Sequence, residues 1–181
     1  AMLDAAGIID TDGDGVREKD GVPLRILYQT STNAVRQDFQ ALIKQWWSEI
    51  GIETELRSID ASVFFGSDPG SPDTLQKFYA DVQMYANTFN GTDPQAYLGN
   101  LLCDKAPRPQ TQWQGENIAR FCNAGFDALH SDLTRTAGMG TRAEIAKRLN
   151  DMAIENGATS PLGHRDRFCG HSLTHICNGL N

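Results

Sequence analysis

The sequence predicts an α/β domain whose sheet is mixed but mostly parallel and is flanked by helices. Three observations carry this expectation. Leu24, Ile26 and Tyr28 alternate with Arg25 and Gln29, and Glu53 to Ile59 alternates again, so each stretch reads as a half-buried strand. Between them Val35, Phe39, Leu42, Ile43, Trp46, Trp47 and Ile50 recur at spacings of three and four, one broad apolar helix face that Gly51 ends. A strand–helix–strand run with such short joints makes a parallel pair with a right-handed crossover. The chain has 181 residues, 40% apolar and 22% charged, enough for one domain with a real core.

The remaining elements follow in order. Ala1 to Ala6 reads as the last turns of a helix stopped by Gly7. Asp10 to Gly21 is an acidic loop. Residues 65–73, rich in Gly, Ser, Pro and Asp, are loop, and Asp73 is expected to cap a short helix reaching Lys77. Asp81 to Ala86 is a third strand. The polar run from Asn87 to Asp93 leads to Pro94 in the first turn of a helix continued by Gln95 to Leu98, with Asp93 as its N-cap. Lys105 to Asn123 holds Pro107, Pro109, Trp113 and Gly115 and reads as a long loop. Ala124 to Thr136 is a helix with Phe126, Leu129 and Leu133 in register. Gly138 and Gly140 break it, and the capping box of Thr141 and Glu144 opens another whose inner face is Ile145, Leu149 and Met152. A short final strand is expected from Thr159 to His164. Both ends read as cut, so residues 1–181 are expected to be a single lobe of a longer exported chain.

Lys and Arg number 16 against 23 Asp and Glu, a formal charge of −7 with no basic stripe, which argues against a nucleic-acid partner. No apolar run approaches the roughly 18–20 residues of a membrane span. Of the three pairings open to four cysteines, two local disulfides, Cys103–Cys122 and Cys169–Cys177, are the simplest, and they imply an oxidising, extracytoplasmic compartment. Cys169, His171, His175 and Cys177 are also ligand types for zinc, but alternate residues in so short a segment converge only if it bends sharply. His130, read on the polar side of its helix, and His164 have no nucleophile at a readable spacing, and no Gly-rich phosphate motif occurs. The expectation is a non-enzyme without an organic cofactor.

The acidic loop is the sharpest chemical signal. Asp10, Asp12 and Asp14 alternate and are followed by Gly15, the first half of a calcium loop, in which three carboxylates converge on one hard cation and the glycine allows the sharp turn. The Val16 carbonyl would add a fourth ligand. The twelfth position is Gly21 rather than Glu, so Asp20 is expected to replace it, with Glu18 the weaker candidate. The result would be a structural calcium staple between a helix and a strand.

Taken in order, Leu3-Asp4-Ala5-Ala6-Gly7, the run from Asp12 to Gly21, the strand from Leu24, Trp46-Trp47-Ser48-Glu49-Ile50-Gly51-Ile52, Asp81-Val82-Gln83-Met84, Thr92-Asp93-Pro94, and Trp113-Gln114-Gly115-Glu116-Asn117 leading to Arg120-Phe121-Cys122-Asn123 resemble the extracytoplasmic solute-binding proteins of peptide- and nickel-type ABC importers, family 5. The resemblance implies a periplasmic-binding-protein-like lobe, the C-terminal one of two that close on a solute at a hinge and deliver it to a membrane permease. It implies a periplasmic or outer-face location and leaves open whether a preceding segment carries a lipid anchor. Relatives that take peptides often carry an Asp shortly before the equivalent of Asp93-Pro94, where it pairs with the ligand's α-amino group. This chain has Asn87 and Asn90, so Asn87, Thr88, Phe89 and Asn90 are the expected ligand contacts, and the solute classes left open are a peptide, a sugar and a metal chelate. The rivals are an extracellular calcium-stabilised structural or adhesion domain and, last, a small secreted hydrolase.

Overall fold

The computed structural model of the chain describes residues 1–88 and 91–163. They divide into two compact units. The first comprises Ala1–Asn87 and Pro107–Ile118; the second comprises Thr88–Ala106 and the described residues from Ala119 onward.

The first unit opens with a single helical turn, α1 (Met2–Ala5), closed by Gly7 at φ +72° as the sequence requires. The acidic loop then runs into a small hairpin, β1 (Glu18–Lys19) against β2 (Val22–Pro23), turned at Asp20 and Gly21, both with positive φ. β3 (Arg25–Ser31) follows, then α2 (Ala34–Glu49) and β4 (Glu53–Ile59). Asn33 caps α2 by accepting the Arg36 N–H at 3.2 Å. After a short helix α3 (Ala61–Phe64), a long irregular stretch leads to β5 (Val82–Met84). The three long-range strands form one sheet in the order β4-β3-β5, parallel throughout. The antiparallel component foreseen for this sheet is instead the separate two-stranded hairpin.

Helix α2 covers one face of the sheet. Trp47 packs on Tyr28 with ring centroids 5.6 Å apart, Ile43 is buried, and the buried Gln40 amide donates to the Tyr28 carbonyl at 2.9 Å. By the alternation along the strands, Ile59 faces the other way, where it clusters with Phe64, Leu75 and Ile118. The outer part of the predicted apolar face of α2 is not core: Val35, Phe39, Leu42, Trp46 and Ile50 are exposed, Trp46 by 56%. Gly51, at φ +82°, ends α2 where a Cβ would stand 2.7 Å from the Arg17 side chain; Arg17 in turn donates to the carbonyls of Ile50 and Ile8.

The second unit is helical: α4 (Gln95–Gly99), α5 (Ala124–Arg135) and α6 (Met139–Glu155). Asn123 caps α5 by accepting the N–H groups of Gly125 and Phe126. The core joins Leu98, Phe121, Phe126, Leu133, Leu149 and Ala153, with Phe121 and Phe126 edge to face at 5.2 Å.

Three further sequence expectations need correction. Residues 73–77 form turns rather than a helix, because the Asp73 carboxylate pairs with Arg57 at 2.7 Å instead of capping. The helix of this region is α3, capped by Asp60, which accepts the Ser62 N–H at 2.8 Å. Helix α6 starts at Met139, before the anticipated capping box, so Gly140 and Thr141 lie inside its first turn and Gly138 caps it without a side chain. Residues 159–163 carry no strand, and His164 lies outside the described residues.

Phe126 is fully buried and Trp46 stands in solvent. In denaturant melts, Phe126→Ala is expected to cost about 3–5 kcal/mol and Trp46→Ala about 0.5 kcal/mol or less.

Candidate functional site

The segment foreseen as ligand-contacting leaves the carboxyl end of β5, and β3 fixes where it starts. Asp81 brackets the entry to β5: its carboxylate accepts the Leu27 N–H at 2.8 Å and its own N–H donates to the Leu27 carbonyl at 3.1 Å. At the exit, the buried Thr30 hydroxyl donates to the Met84 carbonyl at 2.6 Å. Asn87 and Thr88 then stand exposed beyond the strand, which ends at Met84 rather than at the expected Ala86. Phe89 and Asn90 lie outside the described residues. Beyond them the chain turns at Gly91 (φ +85°) into Asp93 and Pro94. Asp93 accepts the Gln95 N–H at 2.9 Å, but α4 starts at Gln95 and its N-cap is Pro94, one residue later than foreseen, because the proline precedes the first helical residue instead of joining the turn. That bond and the Arg142 guanidinium beside it hold the Asp93 carboxyl below its ordinary range.

In the acidic loop, carboxylate oxygens of Asp10, Asp12, Asp14 and Glu18 all lie within 4.8 Å of one another. The loop folds its own N–H groups onto them. Asp10 accepts from Gly13 at 2.7 Å and Gly15 at 3.0 Å, Asp14 accepts from Val16 at 2.7 Å, and Glu18 accepts both the N–H and the hydroxyl of Thr11 at 2.8 Å. Gly13 and Gly15 sit at φ +82° and +92°, values only glycine adopts without strain. Asp20 is not part of the group. It forms the hairpin turn, and the antiparallel alternation of β1 brings Glu18 inward instead, the reverse of the order foreseen for those two.

The Cys103–Cys122 disulfide is present, with Cα atoms 4.6 Å apart, and its N-terminal cysteine is held by Asp127, which accepts the Cys103 N–H at 3.3 Å. Cys169 and Cys177, with His171 and His175, lie outside the described residues. His130 does not lie on a polar side. It is buried, and its Nε2 donates to the Gln95 carbonyl at 2.9 Å, because the inner face of α5 extends one residue past Leu129.

A group that sequence reasoning missed sits in the first unit. The buried Lys77 ammonium lies 4.2 Å from the Trp113 ring centroid and 5.9 Å from that of Tyr79, and the two rings meet edge to face at 6.2 Å. Trp113, which the sequence places in a long loop, staples that loop to the stretch carrying Lys77 and Tyr79. No local signal linked it to Lys77, 36 residues earlier in the chain.

A three-stranded parallel sheet with a polar segment at its carboxyl edge is the architecture of a periplasmic-binding-protein-like lobe, and solved structures share the fold. The oligopeptide-binding protein AppA from Bacillus subtilis, in complex with a nonapeptide, superposes with a TM-score of 0.69 at 21% identity, covering 87% of this chain and 29% of that one. NikZ from Campylobacter jejuni, in complex with Ni(L-His), gives 0.69 at 16% identity, covering 87% and 29%. Residues 1–107 match the family described as bacterial extracellular solute-binding proteins, family 5 Middle, and the chain belongs to that family. A curated relative, di/tripeptide-binding protein 1 of Pseudomonas aeruginosa, is 24% identical over 124 residues, which cover 68% of this chain and 20% of that protein. The chain thus spans about a fifth of the length of the curated relatives it matches. Among the described residues no helix is long and apolar enough to cross a membrane.

Two measurements follow. Cys103 and Cys122 are expected to resist alkylation under denaturing, non-reducing conditions, and opening their loop with Cys103→Ser to cost about 3 kcal/mol. Because the Asp93 pKa is lowered, its bonds to the Gln95 N–H and to Arg142 stabilise the fold above the ordinary carboxylate value of 3.8 and lose that contribution as pH falls through the lower folded value. Acid melts are therefore expected to show a smaller loss of stability below that value for Asp93→Asn than for the parent.

Proposed function

We propose that the chain is one lobe, the C-terminal one, of a two-lobe substrate-binding protein that grips a solute between its lobes and delivers it to the permease of an ABC importer of the peptide and oligopeptide type. The observation that carries this reading is the polar segment starting at Asn87 and Thr88 at the carboxyl edge of a parallel sheet, where open α/β sheets bind ligands, in a chain that belongs to the family 5 solute-binding proteins. The role is binding rather than catalysis, and the relatives' names as binding proteins support it. The reading puts the protein outside the cytoplasm, in the periplasm or anchored at the outer face of the membrane; the family's description as extracellular and the Cys103–Cys122 disulfide support this.

The relative named for di- and tripeptides favours a short peptide as solute. The contacts are Asn87 and Thr88, together with Phe89 and Asn90. With amides at 87 and 90, the site meets the solute through neutral hydrogen bonds and supplies no charge to a buried ammonium. In the full-length protein, a thermal-shift screen of trialanine, its N-acetylated form, a mannose oligosaccharide and nickel with histidine tests the assignment. Trialanine is expected to raise the melting temperature, and its acetylated form to do so as well. Stabilisation by the sugar or the nickel complex alone removes the peptide assignment, and no stabilisation by any of the four removes the transport reading.

A second reading concerns the acidic loop. The four carboxylates that converge within 4.8 Å favour a structural divalent cation held by Asp10, Asp12, Asp14 and Glu18, with calcium fitting an all-oxygen set. Calcium in the millimolar range is expected to raise the melting temperature and Glu18→Gln to abolish the effect; equal melting in calcium and in chelator removes this reading.

A further inference from the structure

Helix α2 carries two apolar faces where a helix lying on a sheet needs one. The first, Ile43 and Trp47 with the amide of Gln40, lies on β3. The second is Val35, Phe39, Leu42, Trp46 and, at the C-cap, Ile50; each is between 39% and 56% exposed. At about 100° per residue these five share one stripe about 80° wide, turned roughly 90° from the side that meets the sheet. The steps from Val35 to Trp46 are four, three and four residues, the repeat of a seam between two helices.

The stripe is symmetric about its own midpoint. Val35 and Ile50 lie equally far from a point between Leu42 and Ile43, and so do Phe39 and Trp46. Two α2 helices placed antiparallel about a two-fold axis at that point set Val35 against Ile50, Phe39 against Trp46, and Leu42 beside its own copy. One patch thus forms both halves of an isologous contact. Its area suffices. Aromatic side chains offer roughly 150–250 Å² and aliphatic ones somewhat less, so the exposed parts of the five come to about 400 Å² per copy and about 800 Å² per pair. Homodimer interfaces are about 65% apolar, so this much apolar surface belongs to a contact of about 1,200 Å², the lower end of specific interfaces.

We propose that the outer face of α2 is a docking surface for a second copy of this chain, forming a weak, reversible, antiparallel dimer. The inference stands apart from the solute assignment, because this face contains none of the proposed contacts. The arrangement has a register of its own. Asp38 and Glu49 are exposed and flank the stripe on the side away from the sheet. The two-fold axis brings Asp38 of one copy to nearly the height of Glu49 of the other, about 3 Å apart along the helix axis. A small interface opposed by like charges is a weak one, with a dissociation constant of about 10–100 µM. At about 1 µM the chain is therefore a monomer with Trp46 in solvent.

Sedimentation velocity of the full-length protein from about 1 to 500 µM is the test, and a monomer–dimer equilibrium centred in the range above is expected. Leu42→Lys is expected to weaken the dimer about tenfold or more, and Phe39→Ser likewise; the second carries that arm should the first fail to fold. Glu49→Lys turns each Asp38–Glu49 approach into an opposite-charge pair and is expected to tighten the dimer about fivefold. Glu55→Lys, the same change of net charge at an exposed position of β4, is expected to leave it as it is. A protein that stays monomeric at about 500 µM overturns the proposal, the stripe then meeting the rest of its own polypeptide or a different partner. A dimer that Leu42→Lys and Phe39→Ser leave intact overturns it too, because that dimer uses another face. A dimer that those variants dissociate but Glu49→Lys does not tighten overturns the antiparallel register.

Discussion

Strand β3 is paired in parallel on both edges, with β4 in register from Arg25 opposite Glu53 to Ser31 opposite Ile59, and with β5 from Tyr28 opposite Val82 to Thr30 opposite Met84. Parallel neighbours cannot be joined by a tight turn, so the chain has to return over the sheet after each strand. The first return is α2; the second is α3 and the irregular stretch that carries Lys77 and Tyr79. The same constraint puts the carboxyl ends of all three strands on one edge. The segment after β5 therefore begins where the peptide planes of the sheet end, at the edge where open α/β sheets bind ligands.

The central strand is more polar than its position suggests. Gln29, Thr30 and Ser31 are buried, and Gln40 of α2 crosses to the sheet to satisfy the Tyr28 carbonyl. Thr30 is accounted for by Met84. The Gln29 Nε2 and both amide atoms of its register partner Gln83 have no hydrogen-bond partner among the described residues, at a cost on the order of 1–3 kcal/mol for each buried group. The first unit therefore tolerates polar atoms in its interior and relies on Ile59, Phe64, Leu75 and Ile118 for apolar burial. The second unit is the more ordinary core, built on Phe126, Leu133 and Leu149.

Where periodicity was long, the sequence was legible. β4 begins and ends at the predicted residues, and α2 lies within a residue of its expected bounds, because each has an unbroken pattern and a cap or a glycine at its ends. Where two local rules competed, it was not. Asp73 and Asp60 are both adequate caps, and only the distant Arg57 decides between them. Asp20-Gly21 reads equally as the end of a cation loop or as a hairpin turn, and strand pairing with Val22 and Pro23 chooses the hairpin, drawing Glu18 into the acidic group. Gly140 looks like a breaker but helix α6 runs through it. Asn87 and Thr88 are expected at the ligand because they follow a strand, and the structure does place them beyond its carboxyl end. The bonds of Arg142 to Asp93 and Gln95 are not legible, because these partners lie 49 and 47 residues away and nothing in the local pattern connects them.

The adjacent residues Trp46 and Trp47 project from α2 about one hundred degrees apart, as successive helical positions must, the first into solvent and the second onto Tyr28. Their indoles therefore differ in colour and in reach. Emission from Trp46 is expected to lie to the red and to be open to aqueous quenchers such as iodide, and that of Trp47, half-buried on Tyr28, further to the blue. With Trp113, the third indole of the first unit, replaced by Phe, the pair becomes an optical reporter of the helix–sheet contact that needs no added label.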